Sequence, residues 1–192
     1  MASFEQFLPM LLKFEGGYVM NPDDPGGETN KGITLRTFTS CARSLLGLEP
    51  TSANLRALTD AQVGIIYRAQ YWNAILGDEI ASQELANIVC DFYVNAGEHA
   101  TLLLQTVINE VGRAGGIAVE TDGSIGPATL KALQALDPAA VYRAYRSARI
   151  AYYQQLGQKY PMFLAGWLKR VESFPDILPA LEAAAADILS LA

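Results

Sequence analysis

KFEGGYVMNPDDPGGETNKGITL, residues 13–35, is where the character of the chain changes. Before it, Phe4, Phe7, Leu8, Leu11, Leu12 and Phe14 recur at mostly helical spacing. Ser3 with Gln6 three residues on has the pattern of a capping box opening that helix. Pro9 sits too deep for a regular first turn and predicts a late start or a kink. Gly16 and Gly17, where backbone freedom peaks, end the helix. Residues 18–32 then string together Asn21, Pro22, Asp23, Asp24, Pro25, Gly26, Gly27, Glu28, Thr29 and Asn30 and read as a loop. From Ile33 on, almost every apolar pattern is helical. Thr34 is placed to cap a helix through Leu46, and Thr59 another through about Trp72. Apolar periodicity returns over residues 84–95 and 98–111. A polar, glycine-bearing segment follows at 112–126, then helices starting near Pro127, Pro138 and Pro175, with the alanine run 183–186 helical. The expected class is all-α, with one long loop after the first helix.

Composition bounds the function. Of 192 residues, 51% are hydrophobic and 18% charged, enough for a folded interior. A net charge of -6 argues against electrostatic binding of nucleic acid or anionic membranes. It gives no help with an anionic polymer either, so such a polymer would have to be held in a groove. His99 is the only histidine, which excludes a Ser-His-Asp triad or a multi-histidine zinc site within the chain. Cys41 and Cys90 form no CxxC pattern and read as two buried thiols in a reducing compartment, with a single disulfide as the alternative. Chemistry must therefore run on carboxylates, hydroxyls and backbone groups. The N-terminus lacks an export-signal pattern. Pro179, Glu182 and Asp187 interrupt the apolar residues 177–192, so membrane insertion is not expected.

Within residues 13–35, Glu15 closes the apolar helix beside Phe14 and Tyr18. A carboxyl held against those rings is partly desolvated, which favours its protonated form and suits a general acid. Asp24 falls in a polar turn where it stays ionised, and the hydroxyl of Thr29 can position a water. Two carboxyls in unlike surroundings are the minimum for glycoside hydrolysis. The plainer alternative is that Glu15 only ends a helix and that Asp23 or Asp24 only caps a turn.

Four strings in order carry a resemblance over nearly the whole chain. EGGY at 15–18, with DPGGET at 24–29 and KGIT at 31–34, resembles the N-acetylmuramidases of glycoside hydrolase family 108, found in phage endolysins and in bacterial export loci. DFYVNAG at 91–97 is similar to that family's second motif. TDGSIGPATLKAL at 121–133 resembles the DG-x-x-G-P-x-T-L run of peptidoglycan-binding modules, and GWLKRV at 166–171 resembles the close of such a module. The resemblance implies a lysozyme-like fold, with a catalytic part at 1–97 and a helical peptidoglycan-binding part at 98–192 packed into one body. It implies Glu15 as the acid, Asp24 as base or electrostatic stabiliser with Asp23 as the alternative, and Thr29 as the water-positioning group, a carboxylate mechanism that needs no metal and no cofactor. The implied substrate is the β-1,4 bond between N-acetylmuramic acid and N-acetylglucosamine in peptidoglycan glycan strands. A holin or a secretion apparatus would then provide the exit from the cytoplasm, where the chain is made. Oligomeric state is not legible.

Asn95 is expected to bond a sugar hydroxyl or to cap the turn at Gly97, and Tyr18 and Tyr93 to stack on sugar rings or to pack in the core. Asp122 and Gly123 with Gly126 and Pro127 read as a structural turn, Trp167 as a buried anchor and Glu98 as a helix cap. Two rival functions use the same residues. One is a lytic transglycosylase, which needs only the acid; the other is a wall-binding scaffold without activity.

Overall fold

The structure is a computed structural model, described here for residues 1–20 and 27–177. It is mostly helical, and it separates into two compact units. One is Ser3–Ala74; the other joins Met1–Ala2 to the described residues from Ile75 on.

In the first unit α1 (Phe4–Phe14) buries Phe4, Phe7 and Leu11, the one-face spacing read from the sequence. Phe4 and Phe7 close on the fully buried Trp72, with ring centroids 5.7 and 5.4 Å away. Pro9 lies inside α1, whose start at Phe4 is not delayed. Its exposed position lets water take the carbonyl that its missing N–H leaves unbonded. The expected capping box is absent: Ser3 is the N-cap without a side-chain cap bond, and its hydroxyl donates to Glu5 at 2.6 Å. Thr34 and Thr59 do cap α2 (Leu35–Cys41) and α4 (Asp60–Tyr67), the latter through a full capping box with Gln62. Each helix runs on as a π-helical turn, Ala42–Leu46 and Arg68–Trp72, which accounts for the extents expected from periodicity. Between them lies α3 (Ser52–Arg56). Helices α1 and α4 approach closely at Gly64, where a Cβ would come within 2.7 Å of Leu8.

The expected loop at 18–32 is in part a sheet. Strands β1 (Val19–Met20), β2 (Glu28–Asn30) and β3 (Ile33–Thr34) pair antiparallel in that order, with Val19 opposite Thr29 and Asn30 opposite Ile33. The β2–β3 turn is Lys31 and Gly32, at φ +48° and +75°. Both central residues at positive φ is what a two-residue type I′ hairpin requires. The strands are short and polar, so periodicity alone does not reveal them.

The second unit is built from α5 (Gln83–Ala96), α6 (His99–Gly112), α7 (Pro127–Ala135), α8 (Pro138–Lys159) and α9 (Pro161–Glu172). Pro127 and Pro138 occupy the first turns of their helices, as read, and Asp137 caps α8 through the Ala139 and Ala140 amides. Along α8, Val141, Tyr142, Tyr145, Arg149 and Tyr153 form the buried face. The break that separates α9 from α8 at Tyr160 was not expected from the sequence. No helix begins at Pro175 within the described residues, and the alanine run 183–186 lies outside them. Cys41 and Cys90 are both buried free thiols.

Candidate active site

Helix α1 stops at Phe14 because Glu15 turns to extended backbone, φ -82° and ψ 124°, while its N–H still closes on the Leu11 carbonyl. The half-buried Glu15 side chain is thereby swung off the helix end, toward the hairpin tip. There it meets Gly32. A Cβ added at Gly32 would lie 2.2 Å from Glu15 Oε2 and 2.3 Å from the Tyr67 hydroxyl. Glycine is required here twice over, by its left-handed φ and by the carboxyl resting on its α-carbon. The sequence reading placed Phe14 and Tyr18 around this carboxyl; the groups the structure sets beside it are Gly32 and Tyr67. Phe14 is itself 37% exposed.

The hairpin tip is tied down from below. Asn30, buried, donates its side-chain amide to the Leu55 and Arg56 carbonyls at 2.8 and 3.1 Å, satisfying the end of α3. Lys31 Nζ donates to the Leu58 carbonyl at 3.2 Å and pairs with Asp60. The Tyr67 hydroxyl donates to the Lys31 carbonyl at 3.1 Å. A lysine at positive φ costs about 1–2 kcal/mol, and these bonds hold it there.

Thr29 sits half-buried on the central strand, opposite Val19 on one side and Thr34 on the other. Tyr18 has one ring face under the Arg56 guanidinium, 4.1 Å from the centroid, and its hydroxyl accepts from Arg56 at 2.7 Å. Asp23 and Asp24 lie outside the described residues. Glu15, Tyr18 and Thr29 thus share the first unit, whereas Tyr93 and Asn95 belong to α5 in the second. Tyr93 is half-buried; Asn95 is exposed and donates back to the Asp91 carbonyl at 2.6 Å.

The second motif's aspartate has a structural setting that its string did not suggest. Asp91 is fully buried and takes Arg149 on Oδ2 at 2.6 Å and Arg170 on Oδ1 at 2.8 Å. Arg149, also fully buried, further reaches the Ile88 carbonyl at 3.3 Å and lies over the Phe92 ring at 4.9 Å. DFYVNAG and GWLKRV are therefore joined by a buried ion pair. The DG turn is likewise structural, as expected: Gln105 donates to Asp122 at 2.7 Å and accepts from the Gly123 N–H at 2.8 Å. That bond and the Ser124 N–H hold the Asp122 carboxyl below its ordinary range. Glu98 does begin α6, without a side-chain cap bond, and its side chain rests on Gly123. Trp167, half-buried, stacks on Tyr153 at 5.3 Å. Among the described residues no cluster of three or more His, Cys, Asp or Glu could hold a metal, and no helix is long and apolar enough to cross a membrane.

A helical fold with a carboxyl delivered from the end of its first helix onto a small hairpin defines a lysozyme-like protein. Residues 8–97 match the family described as Glycosyl hydrolase 108, and residues 99–172 match the one described as Predicted Peptidoglycan domain. The solved structure of SagA from Brucella abortus is similar at 30% identity and a TM-score of 0.65, covering 89% of this chain and 94% of that one. No curated protein matches. The chain belongs to the glycosyl hydrolase 108 family and carries a peptidoglycan-binding domain; it is a glycoside hydrolase that acts on peptidoglycan.

Proposed function

We propose that the chain is a muramidase, hydrolysing the β-1,4 bond between N-acetylmuramic acid and N-acetylglucosamine with Glu15 as general acid. The observation that carries this reading is the seat of Glu15: its carboxyl leaves the end of α1 and rests on Gly32 at the tip of the hairpin that also bears Thr29. Protonation of the leaving oxygen by Glu15 breaks the glycosidic bond. Asp24, or Asp23 in its place, draws a proton from the attacking water, and Thr29 orients that water. Tyr18, through the ring face away from Arg56, together with Tyr93 and Asn95, contacts the sugars. Residues 1–97 act as the catalytic part and 98–192 as the wall-binding part, a division supported by the two family matches. An enzyme of this kind works on the wall, and a holin or a secretion apparatus is the route we propose for it.

The test is release of reducing ends from purified peptidoglycan by wild type and Glu15→Gln, with the muropeptides weighed. Products carrying one added water, lost in a folded Glu15→Gln variant, are expected. A 1,6-anhydro product would make the enzyme a lytic transglycosylase, and undiminished release by the variant would remove Glu15 from the chemistry.

A further inference from the structure

Two side chains reach the same spot from two helices. Glu15 leaves the end of α1, and Tyr67 is the last residue of α4. Their oxygens Oε2 and Oη flank the bare α-carbon of Gly32, each within 2.3 Å of the point a Cβ would occupy. The two oxygens are therefore neighbours, no further apart than the sum of their distances to that point. Tyr67 is 1% exposed, so its hydroxyl faces protein groups rather than bulk water. Its proton goes to the Lys31 carbonyl at 3.1 Å. That proton swivels about the C–O bond and can turn instead to Oε2, which accepts it while Glu15 carries its own proton on Oε1. The carbonyl that orients it is fixed in turn, because Lys31 is bonded to Leu58 and Asp60.

A glutamate needs such a fixture if it is to deliver a proton. The last torsion of a glutamate side chain is broad and roughly two-fold, so an unsupported carboxyl plane swings. We infer that Tyr67 is a positioning residue for Glu15. Its hydroxyl and the missing Cβ of Gly32 form a cradle that seats Oε2, leaving Oε1 to face the glycosidic oxygen. This rests on the reading of Glu15 as the acid. Tyr67 does not touch substrate in this scheme; it acts through the carboxyl it holds.

Tyr67→Phe keeps the ring and removes only the oxygen. On soluble, uncross-linked peptidoglycan strands, kcat is expected to fall about 10- to 100-fold with KM little changed, the range that a small misplacement of a reacting group produces. Added to Glu15→Gln, the same change should lower the residual turnover no further, because no acid remains to be seated. Equal losses in both backgrounds would mean a merely structural tyrosine and would overturn the inference, as would full kcat in Tyr67→Phe. Undiminished turnover by Glu15→Gln alone would instead be a failure of the acid assignment, and this inference would fall with it. A readout that does not depend on the variant's folding is the 13Cζ resonance of Tyr67 in tyrosine-labelled wild type. It should move with pH in wild type and stay flat in Glu15→Gln; a flat response in both would also overturn the inference.

Discussion

Glu15 and Asp91 are both carboxylates at the heart of a sequence motif, and their surroundings are opposite. Asp91 is closed to water and grips a guanidinium on each oxygen, Arg149 and Arg170. Glu15 is half-buried and shares its seat with a glycine and a neutral hydroxyl. Asp91 has both oxygens committed to ion pairs inside the core, out of reach of a substrate. Glu15 is partly open to solvent, where a substrate can reach it. The difference sets chemistry apart from architecture where the motifs alone do not: in the proposed reading EGGY carries the acid, while DFYVNAG carries the buried anchor of a helical core.

The comparison breaks most visibly at Glu15. Glu15→Gln is expected to lose about 100- to 10,000-fold in kcat, the usual worth of a general acid, with its urea midpoint close to that of wild type. Asp91→Asn should do the reverse. It leaves two guanidiniums uncompensated at a buried site and should cost about 3–5 kcal/mol in denaturant unfolding, while turnover per folded molecule is retained. A catalytic collapse in a folded Asp91→Asn would erase the distinction. Gly32→Ala ought to register on both scales, losing about 1–3 kcal/mol to left-handed strain and lowering kcat by unseating Glu15.

The smallest effect belongs to the second unit. Burial pushes the Tyr142 phenol up to about 12 from an ordinary value of 10.0. The folded chain thus holds that proton longer than the unfolded chain does. Stability from this group is intact below about pH 10 and is lost as pH rises toward about 12. Tyr145, raised by the same burial, adds to the slope. Thermal midpoints recorded through that window should fall, and less steeply in Tyr142→Phe. That variant also gives up a 2.7 Å bond to the Pro175 carbonyl, worth about 1 kcal/mol at neutral pH.

What the sequence revealed was local. Thr34, Thr59, Pro127 and Pro138 mark helix starts because a cap acts within three residues of itself. Ser3 misled for the same local reason: Glu5, two residues away, took the hydroxyl. The hairpin escaped because its strands are two or three residues long and its turn is Lys-Gly rather than Asn-Gly. Tyr67 and Arg149 escaped because their partners are remote in sequence, Lys31 for the one and Asp91 for the other. Nothing near either residue marks it. Gly32 stood inside a quoted string, KGIT, but its role as the floor beneath a carboxyl depends on two helices meeting there.

Along α6, Thr101, Gln105 and Asn109 stand four residues apart, and each bonds the backbone of the glycine-bearing segment that follows. Thr101 reaches the Gly123 carbonyl at 2.5 Å, Gln105 the Ser124 carbonyl at 3.0 Å, and Asn109 both polar groups of Val119 at 2.7 and 2.9 Å. The helix lends its side chains as a stand-in for a neighbouring strand. The segment, which has no regular structure over residues 117–126, should therefore behave toward solvent as if it had. Its Val119 and Gly123 amides should exchange hydrogen for deuterium as slowly as a helix interior, and the loop should resist a protease that its glycines would otherwise invite.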